Sequence, residues 1–97
     1  SYATAAEKAE GHIQTFTVTA VGASEYSNSV YINTNESAEK SVCSNNKHFK
    51  LKLDNKISDK FYDAALIAFI HKKKFHIRYH LNKCIDNSVV PNAFMVK

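Results

Sequence analysis

The stretch from Ile57 to Leu81, ISDKFYDAALIAFIHKKKFHIRYHL, constrains this chain most, because two hydrophobic periods meet inside it with three lysines at the join. Its first half has the pattern of a helix. Ser58 can serve as N-cap, Asp59 puts a negative charge in the first turn, and Ile57 and Tyr62 have the spacing of a hydrophobic staple. From Phe61 to Ile70 only Asp63 is polar, so most of the helix circumference is apolar and needs cover on more than one side. Lys72, Lys73 and Lys74 then suit the negative end of the helix dipole. Beyond them the period falls to two: Phe75, Ile77, Tyr79 and Leu81 share one face, and His76, Arg78, His80 and Asn82 the other. A helix therefore runs directly into a strand, and the rest of the chain must cover both.

Upstream, GHIQTFTVTAV reads as a strand with Phe16, Val18 and Ala20 on one face and three threonines on the other. Ile13 is out of phase with Phe16, which predicts a bulge or bend near Gln14 and Thr15. The turn composition of GASEYSNS leads into a second strand with Val30 and Ile32 inward and Tyr31 and Asn33 outward, so the two form a hairpin. A polar loop, TNESAEKSVCSNN, follows, with a sequon at Asn35-Glu36-Ser37 that has meaning only in a eukaryotic secretory host. The third strand sets Phe49, Leu51 and Leu53 against His48, Lys50 and Lys52. After the helix and the fourth strand, a turn around Cys84 to Ser88 precedes a last strand from Val89 to Val96, which Pro91 marks as an edge strand or one that starts irregularly.

The expected order is three strands, one helix and two strands: mainly β with one helix. A bent first strand and a single helix between strands 3 and 4 fit a five-stranded OB-fold barrel whose open end the helix caps. The competing arrangement is an open α+β sheet with the helix packed on it. Residues 1–10, rich in alanine with alternating charges, read as an N-terminal arm or tail, and residues 11–97 as one domain.

At 97 residues such a domain has a modest core, so a cross-link would help it. Cys43 and Cys84 are the only cysteines, and joining them closes a loop of about forty residues, worth about 4 kcal/mol in the chain-entropy account. A disulfide is preferred over two reduced buried thiols, and it implies an oxidising compartment, secreted or periplasmic. The chain opens on Ser1 without a leader pattern, as either a processed mature chain or an excised segment would. No apolar run is long enough to span a bilayer, so no membrane span is expected.

The residues that could carry chemistry are few. His76 and His80 share a strand face but stand about 13 Å apart at strand spacing, too far to ligate one ion, so neither a metal nor a cofactor is expected. With two glycines the chain has no phosphate loop, and it lacks a nucleophile elbow or zinc-protease pattern, so it is not expected to be an enzyme. The net charge of +4 is unevenly spread, with ten of thirteen basic residues between Lys47 and Lys83. Lys50, Lys52, His76, Arg78 and His80 form a candidate basic face. An OB-fold could use such a face to bind single-stranded nucleic acid, but Tyr31 is its lone outward ring and an oxidising compartment holds no cytoplasmic nucleic acid, so this partner is disfavoured. A sugar could use Tyr26, Ser27, Asn28, Tyr31 and Asn33, with tyrosine stacking on the ring and the amides and hydroxyl meeting its hydroxyls. Ala64, Ala65 and Ala68 lie together on the helix and would let it fit closely against its own barrel; because the helix is apolar nearly all round, they would also allow close approach of a second helix.

Several short motifs together resemble small secreted bacterial proteins. They are Gly11-His12-Ile13 opening the first strand, Val30-Tyr31-Ile32, Cys43 before Phe49-x-Leu51-x-Leu53, Tyr62-x-x-Ala65-Leu66-x-Ala68, Ile77-x-Tyr79, and Cys84 before a short closing strand. This layout resembles the B subunits of bacterial toxins built from one A and five B chains, including the subtilase-cytotoxin and pertussis-like groups. The resemblance implies an OB-fold, a homo-oligomer that could be a pentamer, a host glycan as ligand and an A-type toxin subunit as partner. The expected function is a secreted non-enzymatic binding subunit that oligomerises through its helix and recognises a glycan or delivers a partner chain. The alternatives are a monomeric periplasmic OB-type protein that binds or inhibits another protein, and the nucleic-acid binder.

Overall fold

The computed structural model describes residues 11–97, and the arm expected over residues 1–10 lies outside the described residues. The elements are β1 (His12–Phe16), β2 (Val18–Ser24), β3 (Ser29–Thr34), β4 (Asn45–Lys52), α1 (Ser58–His71), β5 (Phe75–Ile85) and β6 (Ser88–Val96). The fold is mainly β with one helix. Its six strands form one mixed sheet in the order β1-β5-β6-β4-β3-β2, in which only β4 and β6 run parallel.

Six strands stand where five were expected because the first one divides at Thr17. The Thr17 N–H leaves the strand ladder and donates to Glu36 Oε1 at 2.7 Å. As a result β1 pairs with β5 and β2 pairs with β3, so the two halves of one stretch occupy opposite ends of the hydrogen-bonding order. The irregularity expected at Gln14 and Thr15 therefore lies further on, at Thr17 and at the register shift between Val18 and Ala20. Ile13 is out of phase because it faces outward, while Gln14 takes the inward position and accepts from Tyr79. The shift after Val18 also rotates β2, so that Val21 rather than Ala20 packs on the core.

Alternation places the core residues. Ile32 on β3, Phe49 and Leu51 on β4, and Phe75, Ile77 and Tyr79 on β5 are all fully buried. Leu53, expected inward, lies beyond the end of β4 and is exposed, because the chain turns there and its N–H donates to the Asn28 carbonyl. Two aromatic groups organise the interior. Phe16, Phe49 and Tyr79 meet edge to face at centroid distances of 4.9 to 6.0 Å. Phe61 of α1 packs on Phe75 and Phe94 at 5.5 and 5.3 Å and so seats the helix.

Helix α1 buries Phe61, Ala65 and Ala68 on one side. Ser58 is its first residue rather than its cap; Ile57 holds the N-cap position with no side-chain cap bond, because the buried Ser58 hydroxyl donates instead to the Leu53 carbonyl. Lys72 ends the helix in the left-handed region with φ 55°, and the Lys73 N–H closes the last turn on the Ala68 carbonyl. Pro91 does not mark an edge in the strand order, since β6 lies between β5 and β4. It does fall where the β5–β6 register is irregular, and the parallel pairing with β4 stops before it at Val89. Asp86 and Asn87, both with positive φ, make the two-residue turn of the β5–β6 hairpin. The Cys43–Cys84 disulfide is formed, with Cα atoms 5.7 Å apart, and joins the long β3–β4 loop to β5.

Candidate functional site

The outer surface of β2, β3 and β4 is built around an absent side chain. Gly22 pairs with Tyr31, and a Cβ at Gly22 would stand 2.7 Å from the tyrosine ring, so the ring lies flat over bare backbone. On its other side the ring stacks on His48 at 5.2 Å, and His48 Nδ1 lies 2.7 Å from Ser88 Oγ. Burial, and then the positive charge of Lys50, hold the His48 pKa below its ordinary value. A serine and a histidine at this distance suggest a nucleophile and its base, but Ser88 is buried to 1% exposure. Its hydroxyl orients the imidazole rather than meeting a substrate.

The β2–β3 turn stands above this platform. Ser24 Oγ accepts from the backbone N–H groups of Tyr26 and Ser27, Ser27 and Ser29 share a hydroxyl hydrogen bond of 2.6 Å, and Lys52 Nζ donates to the Ser27 carbonyl. Asn28 takes φ 51° to complete the turn. The braced turn leaves Tyr26 96% exposed at its tip. Tyr26 and Tyr31 are thus on one hairpin but in different settings, one free in solvent and one packed between strands. Asn33 is exposed on β3 opposite His48.

The candidate basic face is divided. Lys50 and Lys52 lie on β4, and His76, Arg78 and His80 on β5, with β6 between the two strands. Lys50 pairs with Asp86 at 3.1 Å, which holds the Asp86 pKa below its usual range. His76 Nδ1 lies 2.9 Å from Thr15 Oγ1, and the Arg78 guanidinium occupies the space where a Cβ on Gly11 would sit. Among the described residues no group of three His, Cys, Asp or Glu side chains could hold a metal ion, and no helix is long and apolar enough to cross a membrane.

The helix presents a different surface from the one expected. Ala65 and Ala68 are buried against the chain's own core, and Ala64 is half-buried. Opposite them, Ile67 and Ile70 are 50% and 65% exposed. Two signals in the sequence could have located these features: an isolated glycine inside a strand pattern marks a close approach of another group, and counting helix phase from Phe61 puts Ile67 and Ile70 on the far side.

The chain matches no protein-family description, no curated protein and no solved structure.

Proposed function

We propose that this chain is a non-enzymatic binding subunit, similar to the toxin B subunits whose layout it resembles, that self-associates through the outward side of α1 and presents its β2–β3 hairpin to a glycan. The exposure of Ile67 and Ile70 carries the reading. The inner side of α1 is filled by Phe61, Ala65 and Ala68, so two large aliphatic side chains face outward where no other described residue covers them. Removing such surface from water is favourable by about 25 cal/mol per Å², and a second copy brings the same surface to the contact. The contact first assigned to Ala64, Ala65 and Ala68 moves round the helix accordingly.

The strand order supports an OB-type reading of the fold. Counted as one bent strand, β1 and β2 would make the sheet a five-stranded barrel, because the strand that begins beside β5 ends beside β3. α1 would then lie between the third and fourth strands. The disulfide supports an oxidising compartment, secreted or periplasmic.

Tyr26 supports glycan recognition: a fully presented ring on a braced turn can stack on a sugar face, with Asn28 in the same turn to meet a hydroxyl. The division of the basic groups by β6 argues against a nucleic-acid groove, since Lys50 and Lys52 already bind Asp86 and the Ser27 carbonyl. An A-type toxin chain is the partner this reading implies. A glycan array tests the recognition half directly: wild type retains at least one glycan class and Tyr26→Ala loses it. An array on which wild type binds nothing, or on which Tyr26→Ala binds equally, removes the hairpin as the site.

A further inference from the structure

A recess of about 200 Å³ lies where α1 hands over to β5, beneath the junction of β1 and β2. Val18, Ala68 and Phe69 give it an apolar lining, and Lys72, Lys73 and Lys74 border it. The backbone of the three lysines is fixed. Lys72 closes the helix in the left-handed region, the Lys73 N–H is held by the Ala68 carbonyl, and Lys74 exchanges two backbone hydrogen bonds with Lys97 at 3.2 Å.

Among the described residues none of the three lysines forms an ion pair. The two ion pairs among the described residues, His12 with Glu39 and Lys50 with Asp86, lie elsewhere. The Glu36 carboxylate, bound through both oxygens to Thr17 on the recess wall, feels Lys74 and offsets part of its charge. The negative end of the helix dipole offsets only about half of one charge. Three cations on a preset backbone beside an apolar lining are suited to a ligand with two parts.

From this arrangement we infer that the recess is a binding site for a small organic anion: a sulfate, phosphate or carboxylate carried on a single ring or short apolar body. The ring lies on Val18, Ala68 and Phe69, and the anionic group meets the lysines. The volume corresponds to about six or seven waters, which suits one ring. The site is distinct from the hairpin tip and does not depend on self-association, since Ile67 and Ile70 lie on another side of the helix.

The test is a titration of isotope-labelled protein, followed by amide NMR, with sodium benzenesulfonate, inorganic sulfate and benzyl alcohol as separate probes. Benzenesulfonate is expected to give saturable shifts at Val18, Phe69 and Lys73, with sulfate and benzyl alcohol each weaker because each supplies one half of the ligand. A Lys73→Gln, Lys74→Gln double variant with an otherwise preserved spectrum should bind benzenesulfonate about tenfold more weakly. Shifts that do not saturate, shifts spread over other lysines, equal binding of all three probes, or unchanged affinity in the double variant would each overturn the assignment. The comparison of probes on wild type decides the matter even if the variant does not fold.

Discussion

Thr17 donates its backbone N–H and its hydroxyl to the two carboxylate oxygens of Glu36, at 2.7 and 2.8 Å. This pair fixes the point at which the first strand leaves one neighbour and joins another. It also ties the β3–β4 loop back to that point, and the Asn35 N–H adds a bond to the Thr17 carbonyl.

Glu36 should therefore make stability depend on acid. Burial alone would raise its pKa, but the two Thr17 hydrogen bonds and the charge of Lys74 outweigh that and hold it below its ordinary 4.5. With the folded pKa depressed, the contribution is present above the unfolded pKa and is lost as pH falls through the folded value. Thr17→Val should lower stability by about 0.5–1.5 kcal/mol at neutral pH. The deficit should shrink below pH 4.5. Urea unfolding at neutral and acid pH measures both.

His48 adds a separate acid dependence. Its pKa is lowered by burial and then by Lys50, so the folded protein resists a proton that the unfolded chain accepts below 6.5. Stability should fall as pH drops through that value, and His48→Gln should flatten this part of the profile. NMR titration of the imidazole checks the direction: a midpoint above 6.5 would contradict the environment described.

Gly22→Ala tests the platform. The new methyl would stand 2.7 Å from the Tyr31 ring, and because the atoms it meets are the far end of that side chain, the ring can swing aside. The expected cost is only about 1 kcal/mol. The His48 stack, however, should be lost, and the ring-current shift of the imidazole protons reports it. In a Tyr31→Ala background the same substitution should cost almost nothing, which a double-mutant cycle measures.

The disulfide should carry much of the stability of a domain this small. Replacing Cys43 and Cys84 together by serine frees a loop of 41 residues and should cost about 4 kcal/mol, read from denaturant midpoints of oxidised and variant protein.

Much of this fold is legible in the sequence because alternation needs only local information. The faces of β3, β4 and β5 follow from Val30 and Ile32, from Phe49 and Leu51, and from Phe75, Ile77 and Tyr79. The cysteine pair is legible because a small core favours a cross-link. The division at Thr17 is not, since its cause is a carboxylate 19 residues away. Ser58 misleads for a similar reason: an N-cap signature assumes a free hydroxyl, and burial gave this one to Leu53. Periodicity shows that the alanines of α1 share a side that can meet either the chain's own sheet or a second helix, and the aromatic seat formed by Phe61, Phe75 and Phe94 turns Ala65 and Ala68 inward.

The two sides of α1 should respond oppositely to charge. Ala68→Glu buries a carboxylate against the core and should unfold the domain, while Ile70→Glu places it in water and should leave the fold intact.

Native mass spectrometry of wild type and of Ile70→Glu, at micromolar concentration and neutral pH, tests the central claim most directly. Self-association through the outward side of α1 predicts an oligomer for wild type and a folded monomer for the variant. A wild type that is monomeric throughout, or a variant that keeps the wild-type assembly, would contradict it.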